Sequence, residues 1–420
     1  MEELFSSQCM FYSLNRKYAA YEQSRITFDE NITSAEMQKA LTDTIQRYPY
    51  FKVKLVKKGE SYCLEENEKP LILYNDPEHP TMEPDANNAY LLRISAAGCL
   101  LNVCFCHALA DGRSIMPFIK TLFYYYYRCH YNDDPEIPDV RLAGEEISRE
   151  EIDDPFLSFD ASSIQKPQAR PTEQNVLFFG GRGDPEQRLF AHEFTLNSIS
   201  FMQYAHSIGA SPNSLFVIFL YRTLAKIYPE RINDIVLTVS VDQRKALGVQ
   251  NSHHCTVGVI TIRYSKEMAL LSTEKLNTVI RDRIRTGSDV EVLKPQLAQS
   301  KMFAEYIRSK KTLAEKNALC SNVITNAMQS FTGSVSYPGQ MNFGKIGSHI
   351  TAFNLIANSI IPYLSLEILS FDTRFFITLQ HGFDDDRIAD ELKNQIESAG
   401  LECCRYEKEV IPNVPFRDMD

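Results

Sequence analysis

The chain has 420 residues, of which 44% are hydrophobic and 23% charged, and its formal net charge is −10. A chain of this length exceeds the size at which one hydrophobic core keeps growing, so we expect a globular protein with two lobes. The negative charge argues against a general nucleic-acid-binding protein, because such proteins gain affinity by neutralising phosphates.

The chain opens with MEELFSSQCM, which is acidic and polar and lacks the basic region and apolar core of a secretory signal. No apolar run approaches the roughly 20 residues that span a bilayer, so we expect no membrane span. The ten cysteines are scattered singly or as neighbours. In a large chain without an export signal they are expected to stay reduced, which predicts a cytoplasmic protein.

The first strong helix is predicted over residues 33–48. Thr33 and Glu36 form a capping-box pattern, apolar residues then recur at helical spacing, and Pro49 ends the helix. Residues 51–66 alternate between apolar and polar, turn, and alternate again, which predicts a β-hairpin.

The segment LNVCFCHALADG, residues 101–112, raises the main functional question. Strand alternation places His107 at the end of a buried strand, where an imidazole can stay neutral near pH 7 and act as a base. Asp111 follows after a short loop, and Gly112 permits the positive φ that a tight strand-to-helix turn often needs. A buried carboxylate needs a cation or several donors, so we expect Asp111 to fix this loop rather than touch substrate.

The segment has two other interpretations. A histidine at a strand end is often a hydrogen-bonded core residue, so the spacing alone leaves catalysis open. A metal site built from Cys104, Cys106 and His107 is not expected, because the two cysteines share one strand face and the histidine points to the other. We therefore predict no metal centre.

After the motif, the spacing predicts a helix with Ser114 as its N-cap and a buried apolar stripe. The tyrosine-rich run FYYYYRCHY within it is typical of a core helix whose tyrosines reach polar partners at their tips. From about residue 131 to 175, proline and acidic residues without periodicity are typical of a linker.

The second half restarts with a strand at residues 189–194, followed by a helix with Ser211 as cap and Pro212 at its first position. Further segments are predicted in this order: strands at 234–244 and 256–264, a long helical stretch at 268–329, strands in GSVSYPGQMNFG, YLSLEILS and RFFITLQHGF, and a final helix at 388–399. Strands and helices mingle in both halves, which predicts two α/β lobes.

The predicted division of the chain is an N-terminal lobe at 1–165 that carries the motif, a linker at 166–188 and a C-terminal lobe at 189–420.

The pattern His-x-x-x-Asp-Gly at a strand end resembles the acyltransferase superfamily of chloramphenicol acetyltransferase. That superfamily includes the BAHD acyltransferases, the condensation domains of peptide synthetases and the alcohol O-acetyltransferases, and the last type is the nearest. Three other segments are similar to it in order: LTDTIQRYPYFKVKL (41–55), VSVDQR (239–244) and SVSYPGQMNFGKIG (334–347). Together the four segments cover nearly the whole chain.

The resemblance implies a two-lobed pseudo-dimer in which each lobe is a mixed β-sheet flanked by helices, with a channel between the lobes. It implies that His107 is a general base that serves an acyl thioester, most simply acetyl-CoA, and a small alcohol or amine acceptor. Acyl-CoA would be a co-substrate, and no bound cofactor is implied. Because one chain builds its own channel, we expect a monomer.

Further residues are assigned through the same resemblance. Arg244 is the expected partner of Asp111, since that carboxylate needs a cation, although an arginine after a strand is equally typical of a solvated surface. Ser336 and Asn342 are candidates for stabilising the oxyanion or binding substrate. The candidates for the CoA phosphates come from RSKKTLAEK, a run also typical of a solvated helix face: Arg308, Lys310, Lys311 and Lys316.

The sequence departs from the family at two places. Cys106 stands where condensation domains carry the first of two histidines, while His107 matches the second, which is the base. Asn342 replaces the aspartate of the plant motif. Two alternatives therefore stay open beside acyl-CoA chemistry: a condensation-type enzyme that uses carrier-bound acyl donors, and a non-catalytic binding module. The intact His107, Asp111 and Gly112 argue against the module.

Overall fold

The computed structural model describes most of the chain: Leu4, residues 6–14, 20–77, 82–162, 164, 175–179, 189–358 and 364–411. The strands are β1 (Tyr21–Phe28), β2 (Val53–Lys58), β3 (Ser61–Glu66), β4 (Leu73–Tyr74), β5 (Leu92–Ala97), β6 (Leu100–Cys106), β7 (Leu189–Asn197), β8 (Ile235–Asp242), β9 (Val257–Tyr264), β10 (Gly333–Ser336), β11 (Gln340–Met341), β12 (Ile350–Asn358), β13 (Leu364–Phe371), β14 (Arg374–His381), β15 (Cys403–Arg405) and β16 (Glu409–Ile411).

The α-helices are α1 (Ser34–Arg47), α2 (Gly112–Tyr131), α3 (Arg149–Ile152), α4 (Ser198–Ser207), α5 (Pro212–Ile227), α6 (Arg244–Leu247), α7 (Thr273–Gly287), α8 (Val290–Arg308), α9 (Leu313–Met328) and α10 (Arg387–Glu397). Short 3-10 segments lie at Ser6–Ser13, Pro49–Phe51, Glu267–Leu270 and Gly344–His349. Among the described residues, no helix combines the length and the apolar character needed to cross a membrane.

The described strands form two large sheets and one hairpin. The first sheet has the order β12-β1-β6-β5-β4, and the second has the order β15-β7-β14-β13-β10-β8-β9, with β11 beside β13 and β16 beside β7. Strands β2 and β3 pair as the predicted hairpin. Both large sheets are mixed. In the first sheet β4 is parallel to β5, and in the second β10 is parallel to β8 and β13 and β11 is parallel to β13, while the other strand pairings are antiparallel.

Each sheet has its own cluster of buried apolar side chains. Helices α1 and α2 contribute Leu41 and Phe118 to the cluster on the first sheet. Helices α5 and α10 contribute Leu220 and Leu392 to the cluster on the second sheet. The amphipathic periodicity of the sequence thus predicts which helices cover the sheets.

Two predicted helix starts turn out differently. Helix α5 begins as expected, with the Ser211 hydroxyl accepting from the backbone N–H of Ser214. At α1, however, Thr33 makes no side-chain cap hydrogen bond, so the capping box predicted from Thr33 and Glu36 is wrong. The Glu36 carboxylate instead meets the imidazole of His130 on α2, a tertiary contact that the local pattern does not reveal.

The tyrosine-rich part of α2 is a core helix, as predicted. Tyr124 and Tyr126 are buried. The Tyr124 hydroxyl donates to Asp134 at 2.8 Å, and the Tyr126 hydroxyl accepts from the backbone N–H of Thr33 at 3.2 Å.

The segment that follows α2 is not a plain linker over its described part. Glu151 on α3 is buried and accepts hydrogen bonds from Arg47 at 2.9 Å and from Arg141 at 2.8 Å. This acidic residue of the segment therefore pairs with two arginines instead of being solvated. The predicted boundaries at residues 165 and 188 stay a prediction, because 165–174 and 180–188 lie outside the described residues.

One strand crosses between the halves of the chain. The sequence-based division assigns residues 189–420 to the C-terminal lobe, but β12 pairs with β1 along its whole length, from Tyr21 opposite Asn358 to Phe28 opposite Ile350. The first sheet is therefore completed by a strand from the second half of the chain. Sequence pattern predicts that this strand exists, but not which sheet it joins.

Candidate active site

His107 directly follows β6, and its backbone N–H donates to the carbonyl oxygen of Ala20 at 2.7 Å. Its Nδ1 lies 3.1 Å from the carbonyl oxygen of Ala110. A carbonyl oxygen can only accept, so in the neutral ring Nδ1 carries the hydrogen and Nε2 keeps a free lone pair. The turn after the strand therefore sets the tautomer that a general base needs.

The surroundings of His107 also favour its neutral form. Its side chain is 12% exposed. Burial lowers the pKa of His107 below its ordinary value, and the Ala110 carbonyl and the Asp111 carboxylate only partly oppose this. The imidazole is thus held unprotonated near neutral pH.

Asp111 is the N-cap of α2, which corrects the prediction that Ser114 holds this position. Its carboxylate accepts from the backbone N–H groups of Arg113 at 3.1 Å and Ser114 at 2.9 Å. The Ser114 hydroxyl in turn accepts from the backbone N–H of Asp111 at 2.8 Å. The reciprocal pair closes the loop that carries His107 onto the start of the helix.

Arg244 meets Asp111 from the other half of the chain. Its Nη2 lies 2.9 and 3.0 Å from the two carboxylate oxygens, and the backbone N–H of Thr256 donates to the same carboxylate at 2.9 Å. Burial raises the pKa of Asp111, but the Arg244 guanidinium and the backbone donors outweigh this, so that its pKa lies below the ordinary value. The pairing that the sequence suggested for these residues is present.

The Arg244 guanidinium is fully occupied by partners. Nε donates to the carbonyl oxygen of Ser252 at 3.1 Å, Nη1 to Asp242 at 3.0 Å, and Nη2 also to the carbonyl oxygen of His254 at 2.8 Å. The side chain is 2% exposed. Arg244 therefore holds the Asp111 loop in place and does not present a free charge to a ligand.

Gly112 does not have the positive φ that the sequence suggested, because it is the first residue of α2. A Cβ added there would meet nothing within 4 Å. Gly112 lines the pocket beside His107, so its small size leaves space there.

A pocket of about 300 Å³ lies between the two sheets, at the lower end of the range for small-molecule sites. The wall from the first sheet and its flanking loop is formed by Glu22, Ser24, Phe105 and His107. The wall from the adjacent strands β8, β10 and β13 is formed by Thr238, Ser240, Ser334, Ser336 and Glu367. His107 thus lies where the two halves of the chain face each other.

Two carboxyl groups in this pocket escape the sequence analysis. Oε1 of Glu22 lies 3.9 Å from Nε2 of His107, and Glu367 lies opposite Ser336 in the β10–β13 ladder. Burial raises the pKa of both carboxyls, and the charge of Glu367 raises that of Glu22 further. A signal for Glu367 exists in the sequence, since it interrupts the apolar strand YLSLEILS.

The two candidates for stabilising the oxyanion or binding substrate lie in different places. Ser336 lines the pocket. Asn342 is not among the described residues that line it, and its Oδ1 accepts from the backbone N–H of Gly344 at 2.9 Å. The structure therefore does not bring Asn342 to this pocket, and its side chain takes part in a loop turn.

The basic residues predicted for CoA phosphates are not in the described lining of the pocket either. Arg308 donates to the carbonyl oxygen of Leu4 at 3.0 Å, and Lys316 is buried and meets the Ser61 hydroxyl. Lys310 lies over the ring of Tyr306, at 3.8 Å from its centroid. These contacts give Arg308, Lys310 and Lys316 structural partners. Lys311, the fourth of the set, contributes its backbone N–H to the cap at Glu315.

The sequence matches no protein-family model. A search of curated proteins finds no significant match.

The fold, by contrast, matches solved structures over almost the whole chain. TRI101 of F. graminearum, solved with coenzyme A and T-2 mycotoxin, is 14% identical with a TM-score of 0.60, over 96% of this chain and 99% of that one. The trichothecene 15-O-acetyltransferase TRI3 of Fusarium sporotrichioides is 12% identical with a TM-score of 0.61, over 94% and 93%. A condensation domain that mediates chain release from the enacyloxin polyketide synthase is 11% identical with a TM-score of 0.54, over 95% and 82%.

These likenesses establish the fold. The chain has the α/β architecture of these solved structures, with mixed sheets flanked by helices, which confirms the predicted α/β fold class.

Proposed function

We propose that the chain is an acyltransferase that moves an acyl group, most simply acetyl, from a CoA thioester to a hydroxyl or amine acceptor. The observation that carries the proposal is the position of His107, whose unprotonated Nε2 faces the pocket between the two sheets. The fold supports the proposal. Of two proteins with the same fold, TRI3 is named as an O-acetyltransferase and TRI101 was solved with coenzyme A bound.

His107 acts as the general base in this proposal. The acceptor hydroxyl or amine attacks the thioester carbonyl carbon while Nε2 takes its proton, and the tetrahedral intermediate then collapses with cleavage of the C–S bond. The imidazolium returns the proton to the leaving thiolate. Proximity of the two substrates in one pocket supplies much of the remaining rate enhancement. Acyl-CoA is a co-substrate in this scheme, and the chain's own residues carry the proton.

The neighbouring groups have supporting roles. Asp111 and Arg244 position the loop that holds His107 and do not touch the substrate. The Ser336 hydroxyl is the candidate donor to the oxyanion, since it lies on the wall across from the histidine. We also propose that the pocket is the midpoint of a channel between two lobes, with one mouth for each substrate.

The test is thiol release from acetyl-CoA with a panel of alcohols and amines. His107→Ala is expected to reduce kcat/KM by about 10²–10⁴-fold while the protein stays folded. His206→Ala is the matched control, because His206 is exposed on α4 and does not line the pocket. Near-normal turnover in His107→Ala would remove the histidine from the mechanism.

A second candidate takes its acyl group from a carrier protein, and the likeness to the condensation domain favours it. If CoA thioesters are inert while an acyl carrier protein loaded with the same acyl group reacts, this candidate replaces the first. Inertness toward both donors in a folded protein would favour a non-catalytic binding module.

Two further expectations belong to the same proposal. We propose a cytoplasmic enzyme, on the basis of the ten cysteines, which are scattered singly or as neighbours along the chain. We propose a monomer, because residues of a single chain build both walls of the pocket.

A further inference from the structure

Two buried carboxyl groups face the same pocket from different sheets. Glu22 projects from β1 with a side chain that is 17% exposed, and Glu367 projects from β13 and is 6% exposed. Both line one pocket of about 300 Å³, and burial first and the charge of Glu367 second raise the pKa of Glu22. Two carboxyls that share a desolvated space cannot both ionise without a compensating positive charge.

The described lining of the pocket offers these carboxyls no cation. Its two arginines already have partners of their own, since Arg113 pairs with Asp242, and Arg244 pairs with Asp111 and Asp242. His107 is held neutral by burial. Glu22 and Glu367 are therefore not neutralised by the arginines of the described lining, which pair with Asp111 and Asp242.

A third group points to a ligand. The Ser334 hydroxyl is 7% exposed, lies in the pocket wall and has no hydrogen-bond partner within the described protein. Ser334 and Ser336 share one face of β10, next to the strand of Glu367. A buried hydroxyl without a partner costs free energy unless a ligand or water satisfies it.

We infer that the acceptor is a primary amine that enters as an ammonium ion and is held between Glu22 and Glu367, an inference that rests on the proposed acyl transfer. An ammonium group has three N–H donors, and the pocket wall carries three acceptors for them: Nε2 of His107, Oε1 of Glu22 at 3.9 Å from it, and the carboxyl of Glu367. An alcohol has one donor, which His107 takes, and it would leave both carboxyls without a counter-charge.

The reaction balances with these groups. The ammonium ion gives one proton to the Glu22 carboxylate and becomes a neutral amine. Its nitrogen attacks the thioester carbonyl carbon, the C–N bond forms, and a second proton passes to Nε2 of His107. The C–S bond then breaks, and His107 delivers that proton to the thiolate, which leaves as CoA thiol. The third hydrogen remains on the amide nitrogen, and Glu22 releases its proton to solvent.

The same arrangement predicts a proton exchange on binding. In the empty pocket the carboxyl pair retains a proton, because the arginines of the described lining are already paired with Asp111 and Asp242. An arriving ammonium ion supplies that charge and displaces the proton. Amine binding is therefore expected to release protons to the buffer, whereas binding of the corresponding alcohol is not.

The first experiment compares acceptors that differ only in the nucleophile. Thiol release from acetyl-CoA is followed with butylamine, benzylamine and phenethylamine, and with the three alcohols that carry a hydroxyl in place of each amino group. We expect kcat/KM for the amines to exceed that for the alcohols by about tenfold or more. Glu22→Gln and Glu367→Gln are expected to remove this preference.

Glu193→Gln is the matched control, because Glu193 is a half-buried glutamate near Arg25 that does not line the pocket. It should retain the preference for amines. Turnover with alcohols equal to or better than amines would overturn the inference and leave the proposed function standing. Retention of the amine preference in both pocket variants would also overturn it.

The second experiment does not depend on turnover. Isothermal titration calorimetry with benzylamine, in two buffers of different ionisation enthalpy, measures the protons released on binding. We expect release in the wild type and in Glu193→Gln, and its loss in Glu22→Gln. Binding with proton release but no thiol release would support the cation site and reject acyl transfer. Absence of proton-linked binding would overturn the inference.

Discussion

Nη2 of Arg244 lies 2.9 Å from Oδ1 and 3.0 Å from Oδ2 of Asp111, and the two residues come from opposite halves of the chain. Their side chains are 2% and 6% exposed. Water therefore cannot replace either partner. The pair joins the loop after β6 to the turn after β8, and so it fixes both the position of His107 and the contact between the two sheets.

Asp111→Ala is expected to lower the free energy of unfolding by about 3–5 kcal/mol, because it leaves the Arg244 charge buried without its partner. Urea unfolding of the purified protein measures the change. Arg113→Ala is the matched control: its side chain is 61% exposed in its ion pair with Asp242, so the loss should be about 1 kcal/mol or less. Equal midpoints for Asp111→Ala and the wild type would contradict the structural role of Asp111.

The pH dependence of turnover should report His107. Its pKa is lowered by burial, and catalysis requires the neutral ring, so the active fraction falls only as the pH drops through that lowered pKa. As far as His107 determines the rate, we expect kcat/KM to change little between pH 8 and 6.5 and to decrease at pH values under 6.5. The profile is measured with saturating acetyl-CoA. A limb centred above pH 7 would mean that the imidazole is protonated more readily than its burial allows.

Glu367→Gln should stabilise the protein at alkaline pH. Burial raises the pKa of this carboxyl to about 7, above its value in the unfolded chain, so its contribution to stability is present at low pH and is lost as the pH rises through 7. Glutamine cannot ionise, and its side-chain oxygen can accept a hydrogen bond as a carboxyl oxygen does. At pH 8 we expect a gain of about 1–3 kcal/mol in the free energy of unfolding, and little difference near pH 4.5.

Chemical unfolding at the two pH values makes the comparison. A wild-type protein that is as stable as the variant at pH 8 would mean that Glu367 is charged at no cost, which would require a cation beside it.

Two glycines, Gly112 in the pocket and Gly344 outside it, should respond to substitution in opposite directions. Gly112→Ala is expected to raise the free energy of unfolding by about 0.4–1 kcal/mol, because the backbone there is helical and an added Cβ meets nothing within 4 Å. Gly344→Ala should lower the free energy of unfolding by more than that. The φ of Gly344 is +55°, a left-handed conformation that disfavours a side chain, and an added Cβ would lie 1.7 Å from the carbonyl oxygen of Glu136.

Thermal melting of both variants is the measurement. If Gly112→Ala were the more harmful change, the start of α2 would need a left-handed backbone after all.

Much of the site could be predicted from local pattern. Strand alternation places His107 at the end of an apolar row, and a buried carboxylate at Asp111 demands a cation, which Arg244 provides. The N-cap residue of α2 was harder to predict from the sequence. Asp111 and Ser114 stand three residues apart and both favour caps, so the pattern alone does not say which one begins the helix.

The carboxyl pair was beyond sequence reasoning for a different reason. Glu22 and Glu367 are separated along the chain by almost its whole length, and each lies in a strand whose own pattern is ordinary or only locally unusual. Their meeting depends on how the two sheets face each other. Asn342 is the opposite case. It lies in a segment that resembles a family motif, but in the folded chain its side chain accepts a hydrogen bond within a loop turn.

The pairing of β12 with β1 imposes an order on folding during synthesis. When the ribosome has made the motif loop and α2, β1 still has one open edge, and its partner is not complete until Asn358 has been translated. An unpaired strand edge invites association with other chains. The nascent N-terminal half is therefore open to such association at β1 until β12, made roughly three hundred residues after β1, has been translated.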